Sequence, residues 1–338
     1  MKNIISIIFL ISMTFNTYAA SQYTTKEVSK FIDYMVDKHN FERKDLQELF
    51  ANIKEEKKLK KFFKKAPERR LTWNGCEPGE KQCINYKGLF VTENNIKNGM
   101  SFTKDNHRIL QKAEKIYGVP KEIIVAIIGI ETRYGKNLGT FKTFDTLASL
   151  SIGPNKGRRA SFYRTELENF LLLCRENNLD PSSIKGSYAG ALGKPQFISS
   201  SYRNYAIDFD GDKYADLWSS NADVIGSVAN YLMRNGWTRN GLILSDIKIN
   251  NNKKILDKLS KKTYKPHTKY QDYSKLNIKT RSLIDNDEKL SVIKRLEGQL
   301  ETYSFGHNNF YTITRYNRSR LYALAVFSLA QEIKMASQ

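Results

Sequence analysis

Apolar residues fall at helical spacing over most of this chain. Val28, Phe31, Ile32, Met35 and Val36 mark one face of a helix, and Leu46, Leu49 and Phe50 continue the pattern. A second block runs from Asn106 to Tyr134, and a third from Ser161 through Phe170-Leu-Leu-Leu-Cys174 to near Asn178 and Asp180-Pro181. Asp223 to Asn235 forms another, closed by Gly236. The last, Ser319 to Lys334, carries a wide apolar face made by Leu321, Ala323, Leu324, Val326, Phe327 and Leu329. From about Trp237 to Asn309 the pattern changes. Lys, Asn, Tyr and Thr dominate, with short alternating runs such as Leu242-Ile-Leu and Thr302-Tyr-Ser-Phe, which predicts a small strand-containing lobe. The fold class expected is mainly α (α+β), with no repeat at a solenoid period.

One block departs from the amphipathic rule. Ile123 to Ile130 is apolar all round apart from Gly129, so this helix is expected to be buried. Pro120 suits its first turn and Gly135 its C-terminal stop. Near its end stands Glu131. Desolvation and the negative helix pole both favour the protonated carboxyl, which is what a general acid requires. The alternative is a carboxylate paired with Arg133 or another arginine.

The first residues change the compartment. Met1-Lys2-Asn3, the apolar run Ile4 to Phe15 and the small residue Ala19 read as a secretory signal peptide over residues 1–19, too short for a membrane span. No cysteine stands near the cut to accept a lipid, and no other stretch is long and apolar enough to be transmembrane. The expectation is an exported, periplasmic, monomeric protein. Cys76 and Cys83 flank a Gly/Pro/charged loop that a disulfide would close in an oxidising compartment, whereas Cys174 reads as a core residue. The formal net charge of +20 favours a polyanionic partner. Export argues against nucleic acid and towards a membrane face or an acidic wall polymer. Lysines such as those of the Lys54–Lys65 run also form an ordinary solvated helix face.

Three further segments bear on Glu131. Gly186-Ser-Tyr-Ala-Gly-Ala-Leu-Gly-Lys-Pro-Gln-Phe197 is a glycine-rich loop in which Ser187 and Gln196 offer hydrogen bonds to a polar ligand, and it lacks the ending of a phosphate loop. Asp208, Asp210 and Asp212 occupy positions 1, 3 and 5 of an EF-hand-like loop, with the Tyr214 carbonyl at position 7. Lys213 replaces glycine at position 6, and Ser219 stands where a bidentate Glu would close the cage, leaving that task to Asp223. An Asx-rich turn without metal is the other reading, but three alternating acids repel one another without a cation. Asn308 to Ser319 supplies Tyr311, Arg315, Tyr316 and Asn317, suited either to sugar stacking or to a core.

Taken together and in this order, these segments resemble the family B membrane-bound lytic murein transglycosylases. The resemblance is carried by Phe31-Ile-Asp-Tyr-Met-Val36, Ile128-Gly-Ile-Glu-Thr-Arg-Tyr-Gly135, Gly157-Arg-Arg-Ala160, the Gly186–Phe197 loop, the Asp-rich loop into Asp223–Tyr231, and Asn309–Ser319. It implies a lysozyme-like core and cleavage of the β-1,4 bond between N-acetylmuramic acid and N-acetylglucosamine, ending in a 1,6-anhydro ring. Glu131 is then the single acid/base, and Tyr86, Arg158, Arg159, Ser187, Gln196, Tyr231, Tyr311 and Tyr316 line the glycan cleft. A structural Ca²⁺ falls to Asp208, Asp210, Asp212, Tyr214 and Asp223, with no cofactor for catalysis. The organisation implied is a helical region at 20–105, the catalytic core with its EF-hand-like loop at 106–236, the lobe at 237–308, and a C-terminal segment at 309–338 completing the cleft. Peptidoglycan strands are the partner implied, and wall-synthesis complexes are left open. The acylated cysteine by which some members attach to the outer membrane is missing, the Cys76–Cys83 loop interrupts the approach to Tyr86, and Phe162 stands where a tyrosine is found. The rival readings are a lysozyme-type hydrolase, which needs a second carboxylate, and a wall-binding module that does no chemistry.

Overall fold

A computed structural model describes residues 26–54, 59, 71–76, 83–153 and 155–338. The signal-peptide reading and most of the Lys54–Lys65 run lie outside these residues. The chain opens with helices α1 (Lys26–His39) and α2 (Arg43–Ala51), then the paired short strands β1 (Leu71–Thr72) and β2 (Ile84–Asn85). Helices α3 (Tyr86–Phe90), α4 (Glu93–Asp105), α5 (His107–Tyr117) and α6 (Lys121–Thr132) follow. Strand β3 (Phe141–Lys142), α7 (Thr143–Ser151), α8 (Ala160–Glu176), β4 (Lys185–Gly186), α9 (Ser199–Tyr205) and α10 (Asn221–Arg234) complete the middle of the chain. The mainly helical class expected from the periodicity is what the structure has.

Between Leu244 and Gly306 stands a lobe with its own small core of Ile247, Leu256, Tyr273, Leu290, Tyr303 and Phe305 among others. Its sheet runs β5-β8-β7-β6, made of β5 (Leu244–Asp246), β6 (Thr268–Lys269), β7 (Lys289–Glu297) and β8 (Leu300–Gly306). Helices α11 (Lys253–Ser260) and α12 (Tyr270–Lys275) lie between its strands. The chain then returns to the helical body through α13 (Asn308–Tyr316) and α14 (Arg320–Ala336).

Helix α6 is the axis of the body. Every residue from Ile123 to Ile130 is buried, as an all-apolar run requires, and α14, α4, α10 and α5 pack around it. The approach is close where glycine permits it. A Cβ on Gly129 would meet the Tyr134 ring, which folds back over the helix and donates to the Asn95 carbonyl at 2.9 Å. The expected stop at Gly135 is corrected: α6 ends at Thr132, with Arg133 (φ 51°) and Tyr134 (φ 60°) both left-handed. Returning Tyr134 to Gly129 requires the chain to turn before the glycine is reached. The hairpin of the lobe is tied down in turn. Glu297 accepts from Trp73 Nε1 at 2.8 Å and Asn74 Nδ2 at 2.9 Å, so the tip of the lobe rests on the segment that leads to Tyr86.

Candidate active site

Glu131 lies in the last turn of α6, half-buried at the end of the apolar run. Its Oε1 accepts a hydrogen bond from the Tyr322 hydroxyl at 2.7 Å. Among the described residues it makes no ion pair, and Arg133 is exposed, so the carboxyl is not held by the arginine that the sequence offered. Loss of water around the carboxyl pushes its pKa up from 4.5 to about 7, against the smaller opposing effect of the Tyr322 hydroxyl. The magnitude matters. An ordinary glutamic acid would be protonated in roughly one molecule in 300 at pH 7, whereas this one holds its proton in about half.

Tyr322 escaped the sequence reading. It sits two residues into α14, whose N-terminus is capped by the Ser319 hydroxyl, and the apolar stripe of that helix drew attention away from it. Its ring stacks on Tyr316 at 6.3 Å with 10° between the planes. Burial and then the nearby Glu131 hold both phenols well above their ordinary pKa, so they act as donors. Tyr316 donates to the Pro195 carbonyl and Tyr231 to the Arg315 carbonyl, each at 2.6 Å. Burial pushes Tyr231 up to about 12. A Tyr231–Tyr316 edge contact at 4.8 Å completes an aromatic wall running from α10 to Glu131.

That wall borders a cavity of about 970 Å³. Arg159, Gln196, Tyr231 and Tyr316 of the expected set line it, together with Phe162, Tyr205 and Arg318. Among the described residues no acid lines it, and Glu131 stands behind the aromatic wall, outside the lining. Arg159 lies over the Phe162 ring at 4.4 Å, so the phenylalanine in place of a tyrosine keeps the stacking and gives up a hydroxyl. Arg158 is exposed beside it. The glycine-rich loop is bound to the end of α6 through the Thr132 hydroxyl, which donates to the Lys194 carbonyl at 2.9 Å. Within the loop Ser187 Oγ accepts from the amides of Ala191 (3.0 Å) and Ala189 (3.3 Å), which leaves its proton for another acceptor. Gln196, at φ 51°, spends its amide nitrogen on the Gly193 and Leu138 carbonyls.

Two expected cleft residues, Tyr86 and Tyr311, do not line this cavity. Tyr86 begins α3, with its ring 5.0 Å from Phe90, and lies near enough to Tyr322 to bear on that phenol's ionisation. Tyr311 turns to the lobe instead, with its ring 6.5 Å from Tyr264 and Lys265 above it at 6.0 Å.

In the Asp-rich loop, carboxylate oxygens of Asp208, Asp210 and Asp212 lie within 4.8 Å of one another. A Ca²⁺ ion held at about 2.3–2.6 Å spans oxygen pairs up to roughly 5 Å apart, so the spacing fits. Lys213 takes φ 79°, the left-handed conformation that position 6 demands and that costs a side-chain-bearing residue some strain. Asp223 differs from the expectation. It is fully buried and accepts from the amides of Phe209 (2.7 Å), Asp216 (2.8 Å) and Asp210 (3.4 Å), so it organises the loop from behind instead of joining the three. Desolvation raises its pKa, and these amides oppose that rise. The loop also supports the cleft, since Lys194 N donates to the Leu217 carbonyl at 2.8 Å. Cys76 and Cys83 are bridged, and Cys174 is a free buried thiol, pushed up to about 12 by burial and by Asp180.

Comparison with known proteins agrees with this geometry. The family model described as Transglycosylase SLT domain matches residues 23–331. Membrane-bound lytic murein transglycosylase B of Escherichia coli (strain K12) is 38% identical over 308 residues, covering 91% of this chain and 82% of that protein. The soluble lytic transglycosylase SltB1 from Pseudomonas aeruginosa superposes with a TM-score of 0.84 at 36% identity, over 92% of this chain and 99% of that one. Slt35, the Escherichia coli lytic transglycosylase in complex with calcium, gives 0.79 at 35% identity, over 93% and 94%. Among the described residues no helix is long and apolar enough to cross a membrane.

Proposed function

The chain belongs to the Transglycosylase SLT domain family of lytic murein transglycosylases, and on that premise we propose that Glu131 alone carries both proton transfers of peptidoglycan cleavage. The observation that carries this is a desolvated carboxyl, free of any ion pair among the described residues, whose pKa is raised to about 7. Such a group donates and recovers a proton at neutral pH with little driving force lost either way. Protonated Glu131 delivers its proton to the oxygen of the β-1,4 bond between N-acetylmuramic acid and N-acetylglucosamine. The substrate's own acetamido oxygen stabilises the cationic sugar, oriented by the unspent proton of Ser187 Oγ. Glu131, now ionised and steadied by the Tyr322 hydroxyl, takes the proton of the muramic C6 hydroxyl, and that oxygen closes the 1,6-anhydro ring. No water is consumed. A hydrolase would need a second carboxylate beside Glu131, and its products would end in reducing sugars.

Arg159, Gln196, Tyr231 and Tyr316 bind the glycan along the cavity, with Arg158 exposed beside Arg159 and Tyr86 on the side of Tyr322. A structural Ca²⁺ is held by Asp208, Asp210, Asp212 and the Tyr214 carbonyl, and it acts on the cleft only through the support that the loop gives Lys194. Export to the periplasm is supported by the Cys76–Cys83 bridge. The test is mass analysis of the muropeptides released from purified wall. Anhydromuramic ends, lighter by one water than hydrolytic ends, are expected, and reducing ends as the main product would replace the proposal with the hydrolase.

A further inference from the structure

A second cavity, of about 600 Å³, opens where the lobe meets the α13–α14 turn. Its floor is Val292 and Ile293, and its walls include Lys261, Lys262, Tyr264, Arg318 and Arg320. Four cations line it and, among the described residues, no acid does. Some cations of the lobe are paired: Lys253 and Lys294 meet Glu301, Lys269 meets Asp287 and Arg295 meets Asp246. Among the described residues, Lys261, Lys262, Arg318 and Arg320 have no such counterion. Gathering like charges around a concave surface is unfavourable without an anion and focuses the field into the cavity.

Its location names the anion. Arg318 lines this cavity and the glycan cavity alike. Tyr264 stands against Tyr311, and Arg320 begins the helix whose Tyr322 touches Glu131. We infer that this cavity receives the carboxylates of the peptide stem borne by a muramic residue in the cleft. A stem of four or five amino acids reaches about 13–18 Å from its sugar, and the two cavities are neighbours that share Arg318. The inference rests on the peptidoglycan reading and adds to it a site for the peptide.

The test is equilibrium binding to the full chain carrying Glu131→Gln, which does not consume its ligand. The ligands are a muramic tetrasaccharide with tetrapeptide stems and the same glycan stripped of them. The stem is expected to tighten binding about tenfold, the scale of one or two charge-assisted contacts. Lys261→Gln with Lys262→Gln should remove most of that advantage and leave the bare glycan unchanged. Lys248→Gln with Lys279→Gln, which removes the same charge elsewhere on the lobe, should remove none of it. Equal binding of the two ligands, or equal loss in both double variants, overturns the inference. Failure of either ligand to bind the parent protein would overturn the glycan reading, and the peptide site with it.

Discussion

Replacing Glu131 by Gln should stop catalysis and stabilise the protein, and both effects follow from one cause. The carboxyl is desolvated at the end of an apolar helix, with its pKa displaced from 4.5 to about 7. Below pH 4.5 the folded and unfolded chains both hold the proton, and burial has no effect through this group. As pH rises, the unfolded chain releases its proton first, so the folded state loses stability progressively until about pH 7. The displacement corresponds to a full cost of about 3 kcal/mol above that pH. Gln never ionises and still accepts from the Tyr322 hydroxyl, so the variant should escape the cost. Its midpoint of thermal unfolding should exceed that of the wild type by roughly 5 °C at pH 8 and match it near pH 4. Activity on purified wall should fall by more than the 10²–10⁴-fold typical of general acid–base catalysis, because one residue serves both half-reactions. Calorimetry across pH 4–8 beside muropeptide release makes the comparison. A stability difference that is flat with pH would refute the desolvation argument, and an active Gln variant would refute the assignment of the acid.

Tyr322→Phe keeps the stack on Tyr316 but removes a hydrogen bond that lowers the Glu131 pKa, so the alkaline limb of the pH–rate profile should move upward. A downward or absent shift contradicts the contact. Millimolar Ca²⁺ should raise the melting temperature by binding the folded state, and Asp210→Ala with Asp212→Ala should abolish the response while sparing cleavage chemistry. An unmoved wild-type curve would dismiss the metal. Thiol labelling of the unreduced, denatured chain should count one cysteine, Cys174. Reduction should cost at most about 3 kcal/mol, since the bridged loop is short. Gly129→Ala should destabilise by about 1–3 kcal/mol, because the new methyl meets the Tyr134 ring within the packed core.

Much of this protein was legible before folding was considered. A helix apolar on every side has nowhere to go but the interior, so residues 121–132 and the exceptional carboxyl at their end could be read directly. Alternating aspartates were likewise readable as a cluster, and their carboxylate oxygens do lie within 4.8 Å of one another. What stayed hidden was whatever depends on partners distant in the chain. Helix α7 is buried throughout yet carries Thr143, Thr146, Ser149 and Ser151, so no apolar period announced it. The Lys289–Glu297 strand takes its place from pairing with Leu300–Gly306 and Thr268–Lys269, not from its own alternation. Asp223 looked like a ligand by spacing and became a scaffold because burial turned it onto backbone amides. Tyr311 and Tyr316 lie on one helix, and only the packing of that helix sends one to the lobe and the other to the acid. The sequence by itself determined that Glu131 would be desolvated, since hydrophobic burial is written locally in composition and period. Only the tertiary structure decided that, among the described residues, it would have no ion pair and be held by Tyr322, 191 residues away, because a hydrogen bond is chosen by geometry that no local pattern contains.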